Sequence, residues 1–188
     1  MKLNYLEKQD LNEYEDEGRY IASRLIEDIF APTGFTIKIE NTVQTDAVDL
    51  HVLVMNPNKP GYVNDDFYVE VKTRFYDTGQ PDYIYQYARL KQEKLENIKK
   101  FTDKVVWYIS VATVEDVYKK PVNHKAYLYN LNYINWQNIP LVIEKIKETQ
   151  VAVNSPTKDT PMYHIPYSLS TKYDAQKYYD DWNAINKK

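Results

Sequence analysis

Residues 46–74 read DAVDLHVLVMNPNKPGYVNDDFYVEVKTR, and the fold turns on how they are read. Val48, Leu50, Val52 and Val54 fall on one side of an alternating run, with Asp49, His51 and Leu53 on the other. After a break, Phe67, Val69 and Val71 alternate with Tyr68, Glu70 and Lys72. Period-two alternation rich in β-branched residues is the pattern of half-buried strands, because successive side chains leave opposite faces. The intervening Asn56-Pro57-Asn58-Lys59-Pro60-Gly61 has turn chemistry, so the stretch predicts an antiparallel hairpin with a long loop. Glu70 and Lys72 project from one face roughly 6 to 7 Å apart, and Asp49 reaches that face from the partner strand. Two carboxylates and an ammonium on a sheet that otherwise buries Val and Leu are costly without a partner. A divalent cation neutralises the acids, and the lysine then holds or polarises a water beside it.

At these residues the chain resembles the PD-(D/E)XK nuclease superfamily: Asp49, then Glu70-Val71-Lys72 at the end of the next strand. It departs from that pattern in having Val48, not proline, before Asp49. The resemblance implies an α/β (α+β) fold with a restriction-endonuclease-like core, a mixed central β-sheet flanked by helices. The implied order is helix-strand-strand-strand-helix-strand-strand over about residues 13–131, in a single nuclease-like domain spanning 1–188 with a helical C-terminal extension over about 132–188. It further implies Mg²⁺-dependent hydrolysis of DNA phosphodiester bonds, endonucleolytic ahead of exonucleolytic, with Mn²⁺ able to substitute. Asp49 and Glu70 would hold the metal together with the Val71 carbonyl, and Lys72 would orient the attacking water. A glutamate on the preceding helix often completes such a site. Glu17 is the candidate, with Glu13, Glu15 and Glu27 competing for the role. The alternative is a catalytically inactive member of the fold that binds nucleic acid or protein. A third reading keeps Glu70 and Lys72 as surface charges that pair across the sheet.

Working outward, Tyr14, Gly18, Ile21, Ala22, Leu25 and Ile29 recur at helical spacing and predict a helix over Glu13–Phe30, with acid crowding its first turn. Ala31-Pro32-Thr33-Gly34 stops it, and Phe35–Ile39 alternates as a first strand. His51 shares the face of Asp49 and is read as a strand residue with an ordinary hydrogen bond. No two of the three histidines have a metal-ligand interval, which leaves oxygen ligands and a hard ion.

Beyond the hairpin, Gly79-Gln80-Pro81-Asp82 predicts the start of a second helix running to about Phe101. Projected at 100° per residue, Lys91 lands mid-stripe among Ile84, Tyr87, Ala88, Leu95 and Ile98. It is therefore the candidate for a phosphate contact or accessory catalytic group, with Gln86 and Gln92 as second choices. Lys104–Ala112, KVVWYISVA, predicts a central buried strand, and Lys125–Leu131 another. Asn138-Ile139-Pro140 predicts a helix to about Glu148, Met162–Tyr167 a short strand, and Ser170 the cap of a final helix.

The 188 residues are enough for one domain with a real core, at 43% apolar and 27% charged. The absence of cysteine excludes disulfides, thiolate-held zinc and a cysteine nucleophile. No apolar run is long enough for a membrane span and no secretory signal is visible, so a cytoplasmic address and no membrane partner are expected. DNA is the expected partner, with a homodimer as one assembly. The net charge of −3 runs against nucleic-acid binding, but Lys91, Lys94, Lys99, Lys100 and Lys104 cluster locally. Nineteen tyrosines against four glycines offer stacking surfaces, or reflect compositional bias alone.

Overall fold

The computed structural model describes residues 8–42, 47–77, 87–115, 121–147 and 156–186. It begins with α1 (Lys8–Phe30), whose Ile21, Ala22, Leu25 and Ile26 form one buried stripe. A 3-10 turn over Ala31–Thr33, with proline at its start, ends the helix, and Gly34 at φ 74° reverses the chain. There follow β1 (Thr36–Asn41), β2 (Leu50–Met55) and β3 (Val63–Asp77), an antiparallel meander in which Leu50 faces Val69 and His51 faces Tyr68. Next come β4 (Tyr87–Lys91), α2 (Gln92–Phe101) and β5 (Val106–Glu115), which returns parallel to β3 with Glu70 beside Tyr108 and Lys72 beside Ser110. The chain closes with β6 (Pro121–Asn130), β7 (Leu141–Lys147), β8 (Thr157–Pro166), β9 (Thr171–Asp174) and α3 (Gln176–Asn186).

The architecture is α+β. A mixed six-stranded sheet runs β1-β2-β3-β5-β6-β9, and a three-stranded antiparallel sheet runs β4-β8-β7. Alternation along the strands separates two cores. On one face of the large sheet, Leu50, Val52, Phe67, Val69, Ile109 and Val111 pack on the α1 stripe and on Tyr178 of α3. On the other, Val106, Tyr108, Tyr127 and Tyr129 meet Leu95 and Ile98 of α2 and Ala88, Leu90 and Ile165 of the small sheet. Tyrosine suits this second interface because its ring fills the layer while its hydroxyl reaches a carbonyl beyond it. Tyr108 Oη donates to Arg89 O at 2.8 Å and Tyr129 Oη to Ile165 O at 3.4 Å. Part of the tyrosine excess is therefore interlayer packing. Gly18 brings α1 close to β3: a Cβ there would lie 2.0 Å from Thr73 Oγ1. Among the described residues no helix is long and apolar enough to cross a membrane.

The helix over Glu13–Phe30, the first strand, the hairpin, the central strand and the strand over Lys125–Leu131 all have their counterparts here. Three other expectations are corrected. The second helix starts at Gln92, and the residues before it form β4. Ala88 and Leu90 are buried at strand spacing while Leu95 and Ile98 are buried at helical spacing, so a single helical projection merged two elements. Lys91 consequently alternates outward and is exposed, rather than lying mid-stripe. The segment after Pro140 is β7, not a helix: its Leu141-Val142-Ile143 start, with β-branched Val142 and Ile143, pairs with β8. Ser170 is followed by β9, which joins the large sheet, so the C-terminal part is not simply helical. The last helix begins only after Asp174, whose Oδ1 accepts from the Gln176 N–H at 3.0 Å. Gly79–Gln86 lies outside the described residues.

Candidate metal centre

Phe67 and Val69 of β3 fill the α1 side of the sheet, so Tyr68 and Glu70 are turned to the α2 side. Asp49 is pinned just before β2: its N–H donates to Val69 O and its carbonyl accepts from the Thr42 N–H, both at 2.9 Å. Its side chain bridges to the neighbouring strand, Oδ2 accepting the Val71 N–H at 2.7 Å. Oδ1 lies 3.6 Å from Arg19 Nε of α1. The same carboxyl is within hydrogen-bonding reach of Glu70. Glu70 is only 6% exposed. Lys94, in the first turn of α2, places Nζ 3.0 Å from Glu70 Oε2.

Two acids at contact distance in a buried place cannot both ionise cheaply. Burial first, and the Asp49 charge second, push the Glu70 carboxyl from 4.5 up to about 8, against the pull of Lys94. Burial and the neighbouring acid thus favour the protonated form of Glu70 at neutral pH. Two neighbouring carboxyls offer oxygen donors of the kind a hard divalent cation takes, with Lys94 and Arg19 as the cations beside them. Among the described residues no cluster of three or more His, Cys, Asp or Glu side chains occurs.

The structure unites Asp49, Glu70 and the backbone of Val71. Lys72 is exposed, by alternation on the face of Glu70. Beside it in register is Ser110, fully buried, whose Oγ has no hydrogen-bond partner among the described residues. Glu17 is buried but turned elsewhere, with Oε1 3.9 Å from His124 Nε2 on β6, two strands across from β3. His124 stacks on Tyr179 of α3 at 3.6 Å. Of Glu17's competitors, Glu15 pairs with Arg19 at 3.4 Å and Glu27 pairs with Arg24, while the Glu13 side chain lies outside the described residues. Gln92 donates to Glu96 at 3.1 Å and Gln86 is not described. His51 has its ordinary bond, Nε2 to Asp66 Oδ2 at 2.8 Å, and stacks on Tyr68.

Two residues at the site escaped the sequence reading. Arg19 follows Gly18, whose missing side chain lets α1 press on β3, and reaches Asp49. Lys94 flanks the Leu95 and Ile98 stripe, a position visible only once the helix is started at Gln92. Compared with known proteins, the chain matches no family model, no curated protein and no solved structure.

Proposed function

We propose that this protein is a Mg²⁺-dependent deoxyribonuclease with a restriction-endonuclease-like core, cutting DNA endonucleolytically. The observation that carries this is the convergence of Asp49 on β3, its Oδ2 accepting the Val71 N–H at 2.7 Å beside the buried Glu70, with Lys72 two residues after Glu70 on the same strand. The surrounding order supports it: α1, the β1-β2-β3 meander, and a crossover containing α2 that returns as β5 parallel to β3. Lys91, Lys99, Lys100 and Lys104 are exposed on and around α2 and offer a local track for phosphates on a chain of net charge −3.

In this reading Asp49, Glu70 and the Val71 carbonyl hold the metal. Bound there, the ion would polarise the scissile phosphate and lower the pKa of a water. Asp49 is held in place by the Val71 N–H and by Arg19, so its carboxyl need not reorganise when the site fills. Lys72 orients the attacking water with its ammonium. Glu17 keeps its described contact on β6 and is given no ligand role in this reading. The test is cleavage of duplex, single-stranded, branched and nicked DNA with Mg²⁺ or Mn²⁺ by the wild type and by Glu70→Ala and Lys72→Ala. Metal-dependent cleavage lost in both variants, with circular dichroism unchanged, supports the reading. Full activity in either removes that residue from the mechanism. The second reading, a binding module without catalysis, draws on the Lys94–Glu70 ion pair, which already compensates part of the acid. It predicts neither Mn²⁺ binding nor cleavage.

A further inference from the structure

Lys94 stands where a helix disfavours it. A cation in the first turn opposes the positive end of the helix dipole, and α2 places its other cations, Lys99 and Lys100, in its last turn. What offsets the cost is beneath it: Glu70 Oε2 at 3.0 Å, with Asp49 in contact beyond. Lys94 is also a quarter exposed whereas Glu70 is almost covered, so the ammonium occupies the open side of the acid pair. A long flexible stem at the mouth of a site can release its head to solvent without disturbing the Leu95 and Ile98 packing behind it.

We propose that Lys94 is a stand-in cation, holding the Asp49–Glu70 pair while no divalent ion is bound and moving from Glu70 onto a phosphate oxygen of the DNA once one is. Its first half needs only the geometry of the acid pair; its second half rests on the nuclease reading. Lys94 is then a positioning residue for substrate, separate from Lys72, which carries the water. The competition is direct, since ammonium and metal ion seek the same Glu70 oxygen. Removing the ammonium therefore tightens metal binding even as it weakens DNA binding, a pairing of effects that a purely structural salt bridge does not produce.

The experiment is calorimetric titration of Mn²⁺ into wild type, Lys94→Met and Lys145→Met at pH 7.5, where the ammonium and the ion compete for the same oxygen. It is paired with steady-state cleavage of duplex DNA at the same pH. Lys94→Met is expected to bind Mn²⁺ about tenfold more tightly. Its KM for DNA is expected to rise about tenfold with a smaller change in kcat, the signature of lost ground-state binding. Lys94→Arg, which keeps the charge, recovers most of the KM. Lys145→Met, at an exposed position of β7 outside the lysine track, leaves Mn²⁺ affinity at the wild-type value. Unchanged or weaker Mn²⁺ binding in Lys94→Met overturns the stand-in role, whatever cleavage shows. Tighter Mn²⁺ binding with no cleavage by any form keeps the stand-in role and overturns both the phosphate contact and the nuclease reading. Wild type that binds no Mn²⁺ overturns both.

Discussion

Glu70 and Glu144 are both carboxyls in partly or wholly covered positions on strands, and they are treated in opposite ways. Glu144 of β7 receives a guanidinium fork from Arg89 of β4, Nε donating to Oε1 at 3.0 Å and Nη2 to Oε2, and lies 2.5 Å from His164 Nε2 of β8. Its side chain is 19% exposed, and it ties all three strands of the small sheet together. Glu70, at 8%, is offered a second acid and the Lys94 ammonium. A carboxylate that a fold uses as a fastener is surrounded by donors. One surrounded by another acid weakens the fold and has a reason to exist only if something else completes it. The difference sets an acid held by donors apart from one that burial and a neighbouring acid push toward its protonated form.

The largest expected effect breaks the comparison at its functional end. Asp49→Ala or Glu70→Ala should lower metal-dependent cleavage about a thousandfold, while urea denaturation without metal shows no loss of stability for Glu70→Ala. At the structural end the outcome reverses. Glu144→Ala leaves Arg89 and His164 partly covered without their acid and should destabilise by about 2–4 kcal/mol, with Mn²⁺ affinity unchanged; a measurable loss of Mn²⁺ binding would merge the two classes. A smaller effect concerns how α1 delivers Arg19. Gly18→Ala forces the Thr73 side chain aside and should cost about 1–3 kcal/mol in urea denaturation.

The pH dependence of the metal-free protein sharpens the contrast further. The folded state holds the Glu70 proton up to about pH 8, whereas a freed glutamate releases it near 4.5. Stability from this group is full below about pH 4.5 and is lost as pH rises through about 8, because the folded form binds more protons in that window. His124 works in the other direction: burial lowers its pKa from 6.5, so stability falls as pH drops below that value. Below about pH 6.5 the two slopes oppose each other, and between about pH 6.5 and 8 only the Glu70 slope is left, so denaturation midpoints measured with chelator should fall as pH rises through that window and Glu70→Gln should remove the fall.

Alternation made β1, β2, β3, β5 and β6 legible, because each runs long enough for the period to declare itself and one face is buried against a helix. Asp49 and Glu70 were legible as polar interruptions in those runs. What failed was short and stitched together: β4 has five residues and abuts α2 directly, so Tyr87–Phe101 reads as one helix until the two spacings are counted separately. β7 is strand because β8 lies beside it, a tertiary cause that Leu141–Lys147 does not carry alone. Glu17 shows the limit for side chains. Helical position put it at the edge of the buried stripe, and it is buried, but toward His124, since which strand an edge residue meets depends on how the helix is laid across the sheet.

The central claim is that Asp49 and Glu70 form a site for a divalent cation. Calorimetric titration of Mn²⁺ at pH 7 in two buffers of different ionisation enthalpy tests it most directly, because Glu70 must give up its proton for the ion to bind. The account predicts one site per chain, close to one proton released per ion, and loss of both in Glu70→Gln. Binding with no proton release, or binding that survives Glu70→Gln intact, would contradict it.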